Sequence, residues 1–412
     1  MSQPDVLVVG GGPAGVAAAV ELTGMGLSVL LVEQRDRLGG AIHRAYVGAG
    51  PSPVKRNAHH QRQWQTLLDQ VGLASERFSL QLQSVFLGVE GDGLYLLDDR
   101  AAGCVRGVRP KAVLMAVGGV ERVLPVPGWE LPGVTTVGGM QVQLKETGEA
   151  PQGRILVAGS GPLPLALAAQ LAAAGNPPLA LLERGTPFGN ALLQPGAAVD
   201  GLRSWPPLAE ALGYATQLLR SGVPYRAGCM VTAIEAMPQG LRVAVLDRRG
   251  RTLVYEVTHL ALHDGLESNQ TGLPAQTEAG LPVVWAGDCR EVLGADAAIS
   301  DGRRAAQQLA KNLGHVCPEP QFDGALASAR RLQTALRTLC AAPAPVTTPE
   351  TVLCRCEGLR AASASALQGA GSAHEIRVVG RFAMGACQGR FCARAAQALA
   401  AQAGVSFEAQ DL

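Results

Sequence analysis

The sequence predicts an α/β protein in which one strand–turn–helix–strand unit occurs twice and a small cysteine-bearing module closes the chain. Three observations predict it. The apolar run Val6-Leu7-Val8-Val9 leads into Gly10-x-Gly12-x-x-Gly15, and a second apolar run from Ser28 to Val32 ends at the acid Glu33. A partial copy starts at Ile155-Leu156-Val157-Ala158, passes Gly159-x-Gly161 and ends at Glu183. Four cysteines then stand in a tight frame in the last quarter, Cys354-x-Cys356 and Cys387-x-x-x-x-Cys392.

Composition sets the bounds. A chain of 412 residues is long enough for two or three domains. Hydrophobic residues make up 47% and aromatics 4%, so the core is large and built mostly from Ala, Val and Leu. The 35 basic and 34 acidic residues leave a net charge of +1, and without a basic tract a nucleic-acid partner is not supported. The N-terminus, MSQPDVLVVGGG, lacks the basic region of a signal peptide. The uncharged stretch from Ile155 to Leu182 is broken by Gly159, Gly161, Pro162, Pro164, Gly175, Pro177 and Pro178, which predicts a buried strand–turn–helix–strand and no transmembrane segment. A cytoplasmic, reducing location is expected, free or peripheral at the inner membrane.

In the first unit each residue type has a physical task. A strand buried on both faces reads as a short apolar run. Gly10 permits the tight turn, Gly12 lets a pyrophosphate approach the backbone, and Gly15 lets helix and strand pack closely. The helix N-terminus offers N–H donors and the positive end of its dipole to phosphate. Glu33 suits the ribose hydroxyls of a dinucleotide. Strand, helix, second strand and acid all occur in order, which a lone glycine motif would not give.

Two later segments bear on which dinucleotide. Val113-Leu114-Met115-Ala116-Val117-Gly118-Gly119 and Pro282-Val283-Val284-Trp285-Ala286-Gly287-Asp288 resemble the Ala-Thr-Gly and Gly-Asp motifs of two-domain flavoprotein reductases, with Val117 where Thr is usual. The resemblance implies FAD and two Rossmann-like domains. It gives Asp288 a contact to the flavin ribityl chain and sets Gly39-Gly40 in the loop near the flavin. The expected FAD contacts are thus Gly10, Gly12, Pro13, Ala14 and Gly15 in the turn, Glu33, Gln34 and Arg35 at the acid, then Gly39, Gly40, Ala116, Gly118, Gly287 and Asp288.

The second unit is altered. Pro164 stands where the third glycine would be, and Pro162 and Pro164 both lack an N–H, whereas the first turn loses a donor only at Pro13. The expectation is a Rossmann-like shape that binds NAD(P) weakly or not at all; an ordinary NADH site with Glu183 on the ribose is the alternative. Neither unit holds a Cys-x-x-Cys, so a thioredoxin-reductase-type dithiol is absent from the sequence. Cys104, Cys229, Cys289, Cys317 and Cys340 form no close pair and read as small buried residues.

Between the units lies Glu121-Arg122-Val123-Leu124-Pro125-Val126-Pro127-Gly128-Trp129-Glu130-Leu131-Pro132-Gly133-Val134, dense in Pro and Gly as a crossover would be. This stretch, with Gly159-Ser160-Gly161-Pro162-Leu163 and the cysteine frame, is similar to the FAD-containing α subunits of the opine oxidase, D-hydroxyproline dehydrogenase and hydrogen cyanide synthase family. The similarity runs over nearly the whole chain.

Phe322 to Leu339 reads as an amphipathic helix, Ala341 to Pro345 as a linker, and the module after Thr351 is too small for a strong core of its own. Bound metal would supply the missing stability. Structural zinc sites favour two to four residues between paired ligands, so the C-x-C bite fits iron–sulfur better than zinc. Cys354-Arg355-Cys356-Glu357 and Cys387-Gln388-Gly389-Arg390-Phe391-Cys392 resemble the bacterioferritin-associated-ferredoxin-like domain, which implies a [2Fe–2S] cluster on Cys354, Cys356, Cys387 and Cys392. Arg355, Arg377, Arg381 and Arg390 lie near these cysteines in sequence and would raise a cluster's potential, unless they are a solvated basic face.

The expected layout is an FAD-binding domain at 1–125 and 265–315, an inserted NAD(P)-type Rossmann-like domain at 126–264, a helix and linker at 316–350 and a [2Fe–2S]-binding domain at 351–412. The resemblance implies an electron-transferring α subunit. A D-amino-acid-oxidase-like flavoprotein β subunit would oxidise an amine or amino acid, and a small ferredoxin-like γ subunit would complete the complex. The rivals are a stand-alone NAD(P)H-dependent reductase and a non-catalytic scaffold with a zinc module. No residue here forms a substrate-oxidising constellation, so the catalytic residues stay unknown; His43, His59 and His60 read as surface or structural.

Overall fold

The computed structural model describes residues 3–48, 52, 54, 57–73, 77–122, 125–203, 205–270, 272–274, 280–317, 323–343, 345, 347–363, 370 and 372–402. Val123 and Leu124 of the crossover, Phe322, Ala344 and the last ten residues lie outside that set. The chain divides into two compact units, one of Met1–Ala45, Arg56–Val120 and Glu267–Arg330, the other of Tyr46–Lys55, Glu121–Leu266 and Arg331–Leu412.

The first unit is built on a five-stranded parallel sheet. Its order is Val283–Trp285, Ala112–Met115, Val6–Val9, Val29–Val32 and Phe78–Gln81. Val6–Val9 is central and fully buried, as its unbroken apolar run requires. The helices Pro13–Gly24 and Ala295–Asn312 pack together, and Val16, Ala17, Ala19 and Leu22 from one meet Ala305, Ala306 and Leu309 from the other in a common core. A three-stranded antiparallel sheet, Ser84–Val89, Tyr95–Asp99 and Cys104–Val108, is inserted before Ala112–Met115.

The second unit repeats that plan. Its parallel sheet runs Tyr225–Ala227, Leu181–Glu183, Ile155–Gly159, His259–His263 and Val134–Thr136. An antiparallel meander, Met230–Met237, Gly240–Leu246 and Thr252–Val257, precedes His259–His263, as the antiparallel sheet of the first unit precedes Ala112–Met115. The difference is at one edge. There the first unit uses its last strand, Val283–Trp285, and the second unit uses its first, Val134–Thr136. The fold class read from the sequence is therefore the one observed, parallel Rossmann-like sheets with helices. The uncharged stretch after Ile155 is a strand, the helix Pro162–Ala173 and a second strand, and among the described residues no helix is long and apolar enough to cross a membrane.

The scattered cysteines correct one expectation. Cys229 and Cys289 are buried, but Cys317 and Cys340 are only half-buried and Cys104 is exposed. Cys104 opens a strand whose residues lie almost wholly in solvent, so no core is available to it.

Entry to the first strand is pinned by Asp5. Its carboxylate accepts from the N–H and hydroxyl of Ser28 at 2.8 and 2.7 Å and pairs with Lys111 Nζ at 2.7 Å. Burial pushes this carboxyl up, but Lys111 and Ser28 outweigh it and hold it at about 2. That lies below the ordinary 3.8, so the ionised form stabilises the fold at neutral pH and the contribution fades as pH falls from about 4 toward 2. With discount for the exposed Lys111, Asp5→Asn should cost about 1 to 2 kcal/mol in urea unfolding at pH 7. The gap between parent and variant should narrow in acid, and a gap that holds constant down to pH 3 would contradict the assignment.

Candidate functional site

The first glycine turn is shaped by contact. A Cβ at Gly15 would stand 1.9 Å from the carbonyl oxygen of Gly10, so only hydrogen fits where helix meets strand. Gly12 is the N-cap of the helix and Pro13 fills its first position, where a missing N–H costs nothing. Ala14 faces the other side: a Cβ on Gly287 would lie 2.6 Å from the Ala14 Cβ, and one on Gly302 would lie 2.2 Å from the Ala14 carbonyl oxygen. Gly39 donates to the Gly11 carbonyl at 2.9 Å, which brings the Gly39–Gly40 loop against the turn. A Cβ on Gly40 would lie 3.2 Å from the Gly12 Cα. Ala116 donates to Val9 at 2.8 Å, and Gly118 has φ +79 with open space beside it.

Glu33 is buried. Its carboxylate accepts from Gly11 N at 2.7 Å and from Arg35 N at 3.0 Å, with Gln34 between. The acid thus braces the turn. Asp288 lies just after Gly287. Burial pushes its carboxyl up, and its Oδ1 accepts from Leu293 and Gly294 N–H groups at 3.0 and 3.2 Å, fixing the approach to the helix Ala295–Asn312. Gly287 N donates to Asp301 at 2.8 Å. His59 and His60 both reach Asp296 at 3.1 Å, and His43 stacks on Trp64 with ring centroids 4.8 Å apart, so these histidines have structural partners.

The second turn keeps the same brace. Gly161 N donates to Glu183 Oε2 and Gly185 N to Oε1, each at 3.1 Å. Pro162 opens the helix and Pro164 is buried within its first turn. Next to it runs a chain of charged pairs, buried except at Arg122, that sequence reasoning missed. Glu121 pairs with His263 Nδ1 at 2.8 Å, and Asp264 pairs with Arg122 at 2.7 Å and with Arg184. Burial raises the Glu121 carboxyl, but His263 outweighs it and the net direction is down. The only sequence signal was the adjacent Glu121-Arg122 in the crossover.

The cysteine frame closes into a small cluster of its own. Val352–Cys354 pairs with Leu359–Arg360, and Leu353, Cys354, Ile376, Phe382, Cys392 and Ala396 form its core. The Cys354 side chain interacts with Cys392 and that of Cys356 with Cys387, and the charge of Cys387 also reaches Cys392. Ala383 N donates to Cys392 Sγ at 3.4 Å. Arg381, Ala383 and Gln388 adopt positive φ, which turns the backbone around the sulfurs. Among the described residues no three His, Cys, Asp or Glu side chains form a metal-ion site. Two of the arginines near the cysteines are engaged elsewhere. Arg381 bonds Glu357 at 2.9 and 2.6 Å, and Arg355 lies 5.8 Å over the ring of Trp129. Trp129 Nε1 in turn donates to the Val352 carbonyl at 2.5 Å.

Two glycine turns, each braced by a buried acid at the N-terminus of a helix, define a flavoprotein oxidoreductase with two nucleotide folds. Residues 4–290 match the pyridine nucleotide-disulphide oxidoreductase family, to which the chain belongs. It is 31% identical to an opine oxidase subunit from Agrobacterium tumefaciens over 94% of this chain and 84% of that one. It is likewise 31% identical to the hydrogen cyanide synthase subunit HcnB of Pseudomonas aeruginosa, over 94% and 90%. The chain is thus an FAD-dependent oxidoreductase of the opine oxidase and HcnB family. In fold it is similar to L-proline dehydrogenase from P. horikoshii, with a TM-score of 0.59 at 17% identity, over 99% of this chain and 75% of that one.

Because the Gly15 contact leaves no room, Gly15→Ala must move the helix off the turn. The purified variant should keep less than about a tenth of the parent's FAD, read as flavin absorbance against protein. Full flavin retention would show that the turn is not where the cofactor is held.

Proposed function

We propose that this chain is the electron-transferring α subunit of a hetero-oligomeric amine or amino-acid dehydrogenase of the opine, D-hydroxyproline/proline or glycine class. The observation that carries the reading is the pairing of the four cysteine sulfurs in a chain whose nucleotide folds contain no dithiol. A dinuclear iron–sulfur cluster takes two thiolates at each iron, whereas zinc takes four donors about one point. Side chains that interact chiefly in two pairs suit the former.

Cys354, Cys356, Cys387 and Cys392 would hold the [2Fe–2S] cluster, with residues 351–412 as its domain. A backbone N–H at Cys392 and the burial of Cys354 and Cys392 would keep water from two of the ligands. The turn from Gly10 to Gly15 and the helix behind it would bind the FAD pyrophosphate, Glu33 would border the ribose, and Asp288 would face the flavin chain. Flavin takes an electron pair and yields it singly, and an iron–sulfur cluster carries single electrons. The names of the relatives, subunits of an opine oxidase and of a hydrogen cyanide synthase, support a partner that carries the substrate site. A D-amino-acid-oxidase-like flavoprotein fits that role, with a small ferredoxin-like protein as a further member.

Iron and acid-labile sulfide analysis tests the centre. About two of each per chain are expected, and Cys392→Ser should lose both while FAD stays bound. Zinc without sulfide would refute the reading. Co-purification with neighbouring subunits should give amine-dependent dye reduction that this chain alone does not give. Amine oxidation by the chain alone would end the division of labour.

A further inference from the structure

In the second fold the ground that an adenosine ribose would need, by analogy with the first, is bounded by Gly161 of the turn, by Glu183, and by Arg184 and Gly185 after the strand. The chain itself enters that ground. Leu339 ends the helix Gly324–Leu339, and Cys340 and Ala341 follow it directly over Gly185. A Cβ on Gly185 would stand 2.9 Å from the carbonyl oxygens of both Cys340 and Ala341, so the approach depends on glycine there. Asn190 latches the segment from the other side, its Nδ2 donating to the Leu339 carbonyl at 2.8 Å and the Ala341 carbonyl at 3.3 Å. The Cys340 thiol faces the Gly161 N–H, the group that braces Glu183. Burial, then the nearby Glu183 carboxylate, push this half-buried thiol up to about 12.

We propose that Leu339–Ala341 is the resident occupant of this ground, and that NAD(P)H or any other adenine nucleotide enters the second fold only by displacing it. The Cys340 and Ala341 carbonyls lie over Gly185, two residues past the acid Glu183, on the ground a ribose would need. A nucleotide must therefore break the Asn190 latch and expose Cys340 as it binds. The strap stands independently of the cluster reading, since iron and sulfide analysis reports on other residues, so the two can fail separately.

The test uses the full-length flavin-loaded protein. ADP-ribose binding is measured by calorimetry, and iodoacetamide labelling of Cys340 is located by peptide mass spectrometry with the exposed Cys104 as internal reference. In the parent, Cys340 should label far more slowly than Cys104, and ADP-ribose should either fail to bind or bind while speeding Cys340 labelling. Asn190→Ala should label Cys340 and bind ADP-ribose about tenfold more readily than the parent, and Gly185→Ala should label Cys340 more readily. Parent protein that binds ADP-ribose with Cys340 still protected overturns the proposal, as does an Asn190→Ala protein that exposes Cys340 without a gain in binding. If both variants fail to fold, the parent measurements decide alone: Cys340 that labels as fast as Cys104 overturns the strap, and protection lost only on nucleotide binding, or kept without any binding, upholds it.

Discussion

The distance at which a helix can lie against a strand governs the rest of this structure. At the first turn a single hydrogen on Gly15 faces the Gly10 carbonyl, and on the opposite side of the same helix Gly302 and Gly287 leave equally little room against Ala14. That closeness presents the helix N-terminus, with its free N–H groups and positive dipole end, at the edge of the sheet. Glu33 then fixes the turn through Gly11. A side chain added at either contact moves the turn's N–H groups as well as the helix.

The second unit shows how much of that frame survives when the third glycine is gone. Proline fits the first turn of a helix, so Pro162 and Pro164 leave the helix Pro162–Ala173 intact. The acid still braces the turn, since Glu183 reaches Gly161 as Glu33 reaches Gly11. The same architecture therefore persists with fewer backbone N–H groups at the turn, and pairs such as Glu121 with His263 tie the crossover to the sheet.

The sequence made the first βαβ unit, the repeat and the cysteine frame legible because their constraints are local: glycine spacing, apolar runs and close thiols. What it hid is non-local. No periodicity tells that Val134–Thr136 forms the sheet edge that Val283–Trp285 forms in the other unit. The C-x-C spacing cannot show that Cys354 meets Cys392 and Cys356 meets Cys387. Composition reads Ala341 onward as a linker, yet its first carbonyl is captured by Asn190, 151 residues earlier in the chain. Cys340 looked ordinary in sequence for the same reason.

Trp129 has a consequence for the protein's modularity. Its ring is 4% exposed, its indole N–H is bonded to Val352, and Arg355 lies across its face. The crossover of the second fold and the opening strand of the cysteine module thus share one aromatic residue. A shortened chain ending before Val352 would bare an apolar indole with an unmet donor on the body that remains. The flavoprotein portion and the thiol module are accordingly not interchangeable parts joined by a tether, and a domain swap that ignores this indole would leave a sticky scar on one side and an unsupported strand on the other.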